Sequence, residues 1–182
     1  MSRRLFVALQ LEPSVRAELY KLEEKLIFHR GGFAKVPEAN MHMTVLFIGE
    51  VSEEKAQRLA EDFKKISFSL FEYRIRGLGV FPNPHFVRAV WAGCEAREPG
   101  RFEALYREVR DKLGATAEEK FVPHLTLARA RTKDASMAAA EFVRDHERID
   151  LGMTAAKRIA LMESVLGQGG ARYSEMAAIE AQ

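Results

Sequence analysis

Leu5 to Leu11 is a nearly unbroken apolar run of strand length, and the pattern changes period directly after it. Pro13 suits the first turn of a helix, where its missing N–H would have no partner anyway, and Val15, Leu19, Leu22 and Leu26 recur at helical spacing until Gly31-Gly32. A loop through Pro37 leads to a second strand-like stretch that ends at Gly49. Ser52 caps the next helix, with Glu53, Glu54 and Lys55 in its first turn and Leu59, Phe63 and Ile66 on its inner face. Two strands are expected after it, Phe68 to Gly79 and Phe86 to Ala92, divided by the turn-forming Phe81-Pro82-Asn83-Pro84.

The second half repeats this order. After the strand Phe86 to Ala92 come a helix carrying Phe102, Leu105, Val109 and Leu113, a loop, a strand around Leu125, a helix at Ala135 to Val143, and a strand from Lys157 to Val165. Leu22 and Leu26 find counterparts in Leu105 and Val109, each 83 residues on (105 minus 22, 109 minus 26). An internal duplication predicts two related lobes whose matched elements face a common axis. Residues 1–182 are expected to form a single unit of two such lobes around a central cleft.

The chemistry sits in the matched strands. His42-Met43-Thr44-Val45 is echoed by His124-Leu125-Thr126-Leu127, 82 residues later (124 minus 42). On an extended backbone residues i and i+2 share a face, so each histidine projects with its threonine while the intervening apolar residues turn inward. Two imidazoles with ordinary pKa values of about 6.5 can divide the removal of one proton and the delivery of another without a metal. That suits the opening of a cyclic phosphodiester, with Thr44 and Thr126 donating to phosphoryl oxygens and Arg129 holding developing negative charge. Strict alternation does not put Arg129 on the motif face, so a twist or strand end must bring it round.

Composition adds limits. The chain has 182 residues, 47% of them apolar, and a formal net charge of +2, which tolerates a polyanion without demanding one. Its single cysteine, Cys94, lies among Val90, Trp91 and Ala92, reads as a structural thiol and suits a reducing compartment. Arg3-Arg4 before an apolar run superficially resembles a signal peptide, but Glu12-Pro13 interrupts it without a small-residue cleavage site. No run is long enough to span a membrane, so a cytoplasmic location is expected. Neither His-x-x-x-His nor Cys-x-x-Cys nor an acidic cluster accompanies the motifs, and no Gly-x-Ser-x-Gly elbow exists, so no metal or other cofactor and no serine nucleophile is expected. His29 before Gly31 fits a helix C-terminus and His146 a surface turn, while His85 is the remaining histidine with a route to the cleft. Phe6 and Trp91 fit core packing, and Phe33, Phe47 and Phe121 flank the motif strands, where they pack or meet a base.

The chain resembles the 2H phosphoesterase superfamily, most closely its RNA 2′,3′-cyclic phosphodiesterase branch, also described as 2′-5′ RNA ligase. The resemblance runs from Arg4-Leu5-Phe6-Val7-Ala8 through Asn40 to Val45 with Gly49-Glu50-Val51, then Phe81-Pro82, Arg88 and Trp91. It continues over Phe121 to Arg129 and closes at Ser164-Val165-Leu166 and Tyr173. It implies a bilobal α+β fold with two antiparallel sheets around a V-shaped cleft, and metal-independent opening of a 2′,3′-cyclic phosphate to a 2′-phosphomonoester. It further implies His42 as proton donor to the leaving 3′ oxygen, His124 as proton acceptor from water, and Thr44, Thr126 and Arg129 as substrate-binding residues. The implied substrate is RNA with 2′,3′-cyclic phosphate ends, tRNA fragments included, handled by a monomer; microscopic reversibility allows the joining reaction as well. Small nucleotides such as ADP-ribose cyclic phosphate or 2′,5′-oligoadenylate, and a non-catalytic RNA- or nucleotide-binding module, stay open. One departure stands out: Lys35 occupies a position where related sequences commonly carry tryptophan.

Overall fold

The computed structural model describes residues 2–28, 30–116, 121–167 and 170–182; the reading of His29 as a helix-end residue falls outside them. Strand β1 (Ser2–Gln10) leads into helix α1 (Pro13–Ile27), edge strand β2 (Phe33–Lys35), a single 3-10 turn (Glu38–Asn40), β3 (His42–Ser52) and α2 (Glu53–Phe63). Then follow β4 (Phe71–Asn83), β5 (Phe86–Ala96), α3 (Arg101–Lys112), β6 (His124–Ala130), α4 (Lys133–Asp145), β7 (Asp150–Ala156), β8 (Arg158–Gly167) and β9 (Gly170–Glu180).

Local chemistry explains most boundaries. Pro13 does open α1, and Ser52 Oγ accepts the backbone N–H of Lys55 at 3.2 Å to cap α2, as the sequence predicts. Thr132 does the same for α4 through Ala135, at 3.2 Å. The Phe81-Pro82-Asn83-Pro84 stretch departs from expectation: β4 runs through Asn83, and only Pro84-His85 makes the turn. There the Asn83 side chain accepts the backbone N–H groups of His85 and Phe86, closing the hairpin locally.

The strands form two antiparallel sheets, ordered β3-β1-β8-β9 and β2-β6-β5-β4-β7. Leaving β2 aside, the orders match under the duplication, since β3 corresponds to β6, β1 to β5 and β8 to β4, with β9 and β7 at equivalent edges. The lobes therefore do not coincide with the sequence halves. Strand β4, from the first half, completes the sheet that holds the second motif, and β8, from the second half, completes the sheet that holds the first. Helix α2 packs on β1, β3 and β9, whereas α4 packs on β4, β5 and β6. Apolar residues of both sheets, among them Leu5, Val7, Leu9, Tyr73, Ile75, Leu125 and Leu127, join one hydrophobic cluster. Burial on that scale, at about 25 cal/mol per Å² of apolar surface, holds the two sheets together. Cys94 is buried in it, and that burial pushes its thiol pKa up, which fits a packing role.

Candidate functional site

Strand β3, at the edge of its sheet, packs against β6 of the other, and the motif faces of both open onto a cleft of about 630 Å³. His42, Thr44, His124, Thr126 and Arg129 all line it. In both copies the chain departs from regular pairing one residue after the motif threonine. Ala8 and Val7 of β1 pair with Thr44 and Leu46, leaving Val45 as an extra residue. Trp91 and Val90 of β5 pair with Thr126 and Ala128, leaving Leu127 as its counterpart. A β-bulge of this kind resets the alternation, so the residue three beyond each threonine swings onto the cleft face. That is how Arg129 reaches the site, and it brings Phe47, 82 residues earlier (129 minus 47), to the matching place on the other side. The two positions differ in chemistry: one carries a guanidinium, the other an exposed ring with the Arg4 guanidinium 5.0 Å from its centre.

Each imidazole is oriented by the backbone two residues upstream. His42 Nδ1 lies 2.7 Å from the Asn40 carbonyl oxygen and His124 Nδ1 2.7 Å from that of Val122. A carbonyl only accepts, so Nδ1 carries the hydrogen in both rings and Nε2 is the nitrogen left for chemistry. His42 Nε2 lies 3.1 Å from Thr44 Oγ1. Asn40 also donates from its amide to the Ala171 carbonyl at 2.9 Å, which ties the His42 support to β9. Ring packing fixes the remaining freedom: Phe6 and Tyr173 stand 4.9 and 5.4 Å from His42, and Phe81 stands 5.0 Å from His124. Behind them, a Cβ on Gly79 would lie 2.1 Å from the Trp91 ring, so glycine is what leaves room for that indole, 5.2 Å from the Phe81 ring and tilted 34° to it.

The electrostatics favour anions. Arg4, Lys35, Arg129 and Arg131 line the cleft, and no Asp, Glu or Cys is among its described lining residues. Burial is the main force lowering the pKa of both histidines, opposed by the backbone hydrogen bonds; the Arg129 charge lowers both further, and the His124 charge lowers that of His42. Both rings are thus neutral in the free protein at pH 7, and a bound phosphate would raise them again. No group of three or more His, Cys, Asp or Glu side chains suited to a metal occurs among the described residues, and no helix there is long and apolar enough to cross a membrane.

Of the other sequence candidates, His85 sits in the β4–β5 turn and is not among the cleft-lining residues, Phe121 stacks on Tyr106 at 5.1 Å, and His146 stacks on Phe142 at the end of α4. Phe6, expected in the core, is indeed buried but also forms part of the cleft floor. Arg4, Arg131 and Asn40 were not singled out from residue chemistry. Arg4 shares alternation with Phe6, and Asn40 with His42, so parity was the available signal.

Glu23 went unnoticed for a different reason: in sequence it looks like one more charge on α1. Its side chain is fully buried, its Oε1 accepts the Val36 N–H at 2.6 Å, and its Oε2 has no partner among the described residues. It thereby holds the cleft wall at Lys35, Val36 and Pro37 against α1. Burial pushes its pKa up to about 7, opposed by the Val36 hydrogen bond and Lys35. A carboxyl with a raised folded-state pKa binds its proton more tightly in the folded than in the unfolded chain. Stability from this group is present below pH 4.5 and is lost as pH rises toward 7. Glu23→Gln, titrated by thermal melting, is expected to gain on the parent from pH 5 to 7 and to level off above that; a constant difference from pH 5 to 7 would contradict the assignment.

Two backbone-oriented imidazoles facing one cationic cleft define a phosphoester-handling class of site. The sequence profile of the LigT like Phosphoesterase family matches residues 9–91 and again 95–173, one stretch in each half of the duplication. The chain belongs to that family. It is 33% identical over 180 residues to the RNA 2′,3′-cyclic phosphodiesterase of Archaeoglobus fulgidus, covering 97% of this chain and 99% of the relative. Among solved structures, a Thermus thermophilus protein superposes with a TM-score of 0.77 at 26% identity, covering 97% of both chains. Escherichia coli LigT complexed with phosphate superposes with a TM-score of 0.74 at 26% identity, covering 100% of this chain and 98% of that one. The bilobal α+β architecture that the family resemblance implies is the one these proteins share.

Proposed function

We propose that the protein hydrolyses RNA 2′,3′-cyclic phosphate ends to 2′-phosphomonoesters by two-histidine acid/base catalysis. The observation that carries this reading is the pair of Nε2 atoms, each freed by an Nδ1–carbonyl bond, on one cleft lined by cations and no carboxylate. His124 Nε2 takes a proton from water as the water oxygen attacks phosphorus. The bond from phosphorus to the 3′ oxygen breaks, and His42, protonated once the anionic substrate is bound, delivers its Nε2 proton to that oxygen. Thr44 and Thr126 donate to the non-bridging oxygens, the Thr44 hydroxyl leaving His42 Nε2 to do so, and Arg129 balances charge on the pentacoordinate phosphorus. No step requires a metal, since the two imidazoles exchange both protons. Run backwards with a 5′-hydroxyl in place of water, the same groups would join RNA ends.

The relatives' name and the LigT–phosphate structure support an RNA substrate and a phosphate-binding cleft, and a single 182-residue chain supplies every group, so a monomer suffices. Phosphorus NMR of the product from a 2′,3′-cyclic nucleotide, with excess chelator present, is expected to show a 2′-phosphomonoester formed at an undiminished rate. A 3′-phosphate would reverse the roles of the two bridging oxygens, and inhibition by chelator would overturn the metal-free chemistry. Turnover of ADP-ribose cyclic phosphate or 2′,5′-oligoadenylate in preference to a cyclic RNA end would move the substrate class.

A further inference from the structure

The cleft does not end at its own wall. Edge strand β2 separates it from a groove of about 840 Å³ that runs along α1 toward β7. Alternation along β2 sends Ala34 into the cleft and Phe33 into the groove, while the long side chain of Lys35 lines both. Beyond Lys35 the groove carries Lys25 and Arg30, both exposed. Among the described residues, none of Lys25, Arg30 and Lys35 has a carboxylate at salt-bridge distance, in contrast to Lys21 in the same groove, which is engaged by Glu18 at 2.8 Å. Arg30 donates from its guanidinium to the Leu26 carbonyl at 3.3 Å, a bond that leaves its charge unneutralised, and neutralising backbone phosphates with such cations is what binds a nucleic-acid strand.

We propose that this groove holds the RNA strand immediately upstream of the cyclic end, with Lys35, Arg30 and Lys25 contacting successive backbone phosphates. The proposal rests on the RNA-end reading above and extends it: the preferred substrate is a single-stranded oligonucleotide. The Lys35 ammonium on the shared rim fits this, because it can attract an internal phosphate that a mononucleotide lacks. The contacts are to backbone, so the groove adds affinity without base sequence preference. Glu18 and Glu24, which also line the groove, oppose binding.

The test uses Lys25→Glu/Arg30→Glu, two exposed residues outside the cleft, and two ligands: a 5′-fluorescein single-stranded RNA octamer ending in a 2′-phosphate, and a 2′-phosphate mononucleotide as competitor. Fluorescence anisotropy is expected to show the octamer weakened about tenfold or more, with a log–log salt slope shallower by about 1.4, that is 0.7 for each of two lost phosphate contacts. Mononucleotide affinity and turnover of the cyclic mononucleotide stay at the parent level. Unchanged octamer affinity, or equal loss for both ligands, overturns the groove assignment, as does a parent protein that binds the octamer no more tightly than the mononucleotide. Turnover of the cyclic-ended octamer and cyclic mononucleotide by the parent is followed in parallel. Failure there removes the enzymatic reading while the anisotropy still decides the groove.

Discussion

His42→Ala and His124→Ala are each expected to lower turnover of a 2′,3′-cyclic nucleotide by about 10² or more, with the fold intact. The fold survives because both rings line the cleft and not the core, while the apolar partners Met43, Val45, Leu125 and Leu127 that anchor their strands are untouched. Circular dichroism and melting temperature check that separation. On the proposed mechanism the two losses are not expected to add in the double variant, since proton removal and proton delivery would serve one displacement and the absence of either would stall it. The pH dependence is specific as well. With both pKa values held below their usual 6.5 in the free protein, kcat/KM should peak on the acidic side of that value. In the complex the phosphate charge favours imidazolium, so the optimum for kcat lies at higher pH. Coincident optima, or near-parent turnover in either single variant, would remove the acid/base assignment.

Arg129→Ala is expected to cost about 10² to 10³ in kcat, the usual penalty for removing one preorganised donor to a developing oxyanion. Its position depends on the bulge at Leu127, which turns the guanidinium onto the face shared with Thr126. Removing it also removes a positive neighbour that lowers both histidine pKa values. The sign follows: with that repulsion gone, imidazolium forms more readily and the pH optimum moves up. Arg129→Lys should restore the optimum and only part of the rate, because an ammonium supplies charge without the planar fork of donors that matches two phosphoryl oxygens. Steady-state kinetics across pH 5 to 9 separate these effects, and an alanine variant with parent kcat and an unmoved optimum would reduce Arg129 to a surface charge.

The motif strands were legible because their parity is regular up to the threonine: apolar Met43 and Val45, Leu125 and Leu127 announce which way the histidines face. Legibility ended where backbone irregularity began. An extra residue at Val45 or Leu127 leaves no mark in composition, so the arrival of Arg129 and Phe47 in the cleft needed coordinates. Strands β2, β7 and β9 were missed for related reasons. Three residues make no period, β7 contains Gly152 at positive φ, and Met176 to Ile179 in β9 carries two alanines that favour helix when read locally. Their pairing with β6, β4 and β8 overrides those preferences. Glu23 shows the reverse failure, since a charged residue in a charged helix hides the single carboxyl that faces inward.

The exchange of β4 and β8 between the sheets bears on ancestry. A solitary copy of the repeat would leave its sheet one strand short while projecting a strand with nowhere to pair. Two such copies would satisfy each other by trading that strand, the arrangement of a domain-swapped homodimer with its histidines related by a dyad. Positions 47 and 129 mark where that symmetry stops: the histidines and threonines of the two motifs match, whereas a ring in one sheet stands where the other carries a guanidinium.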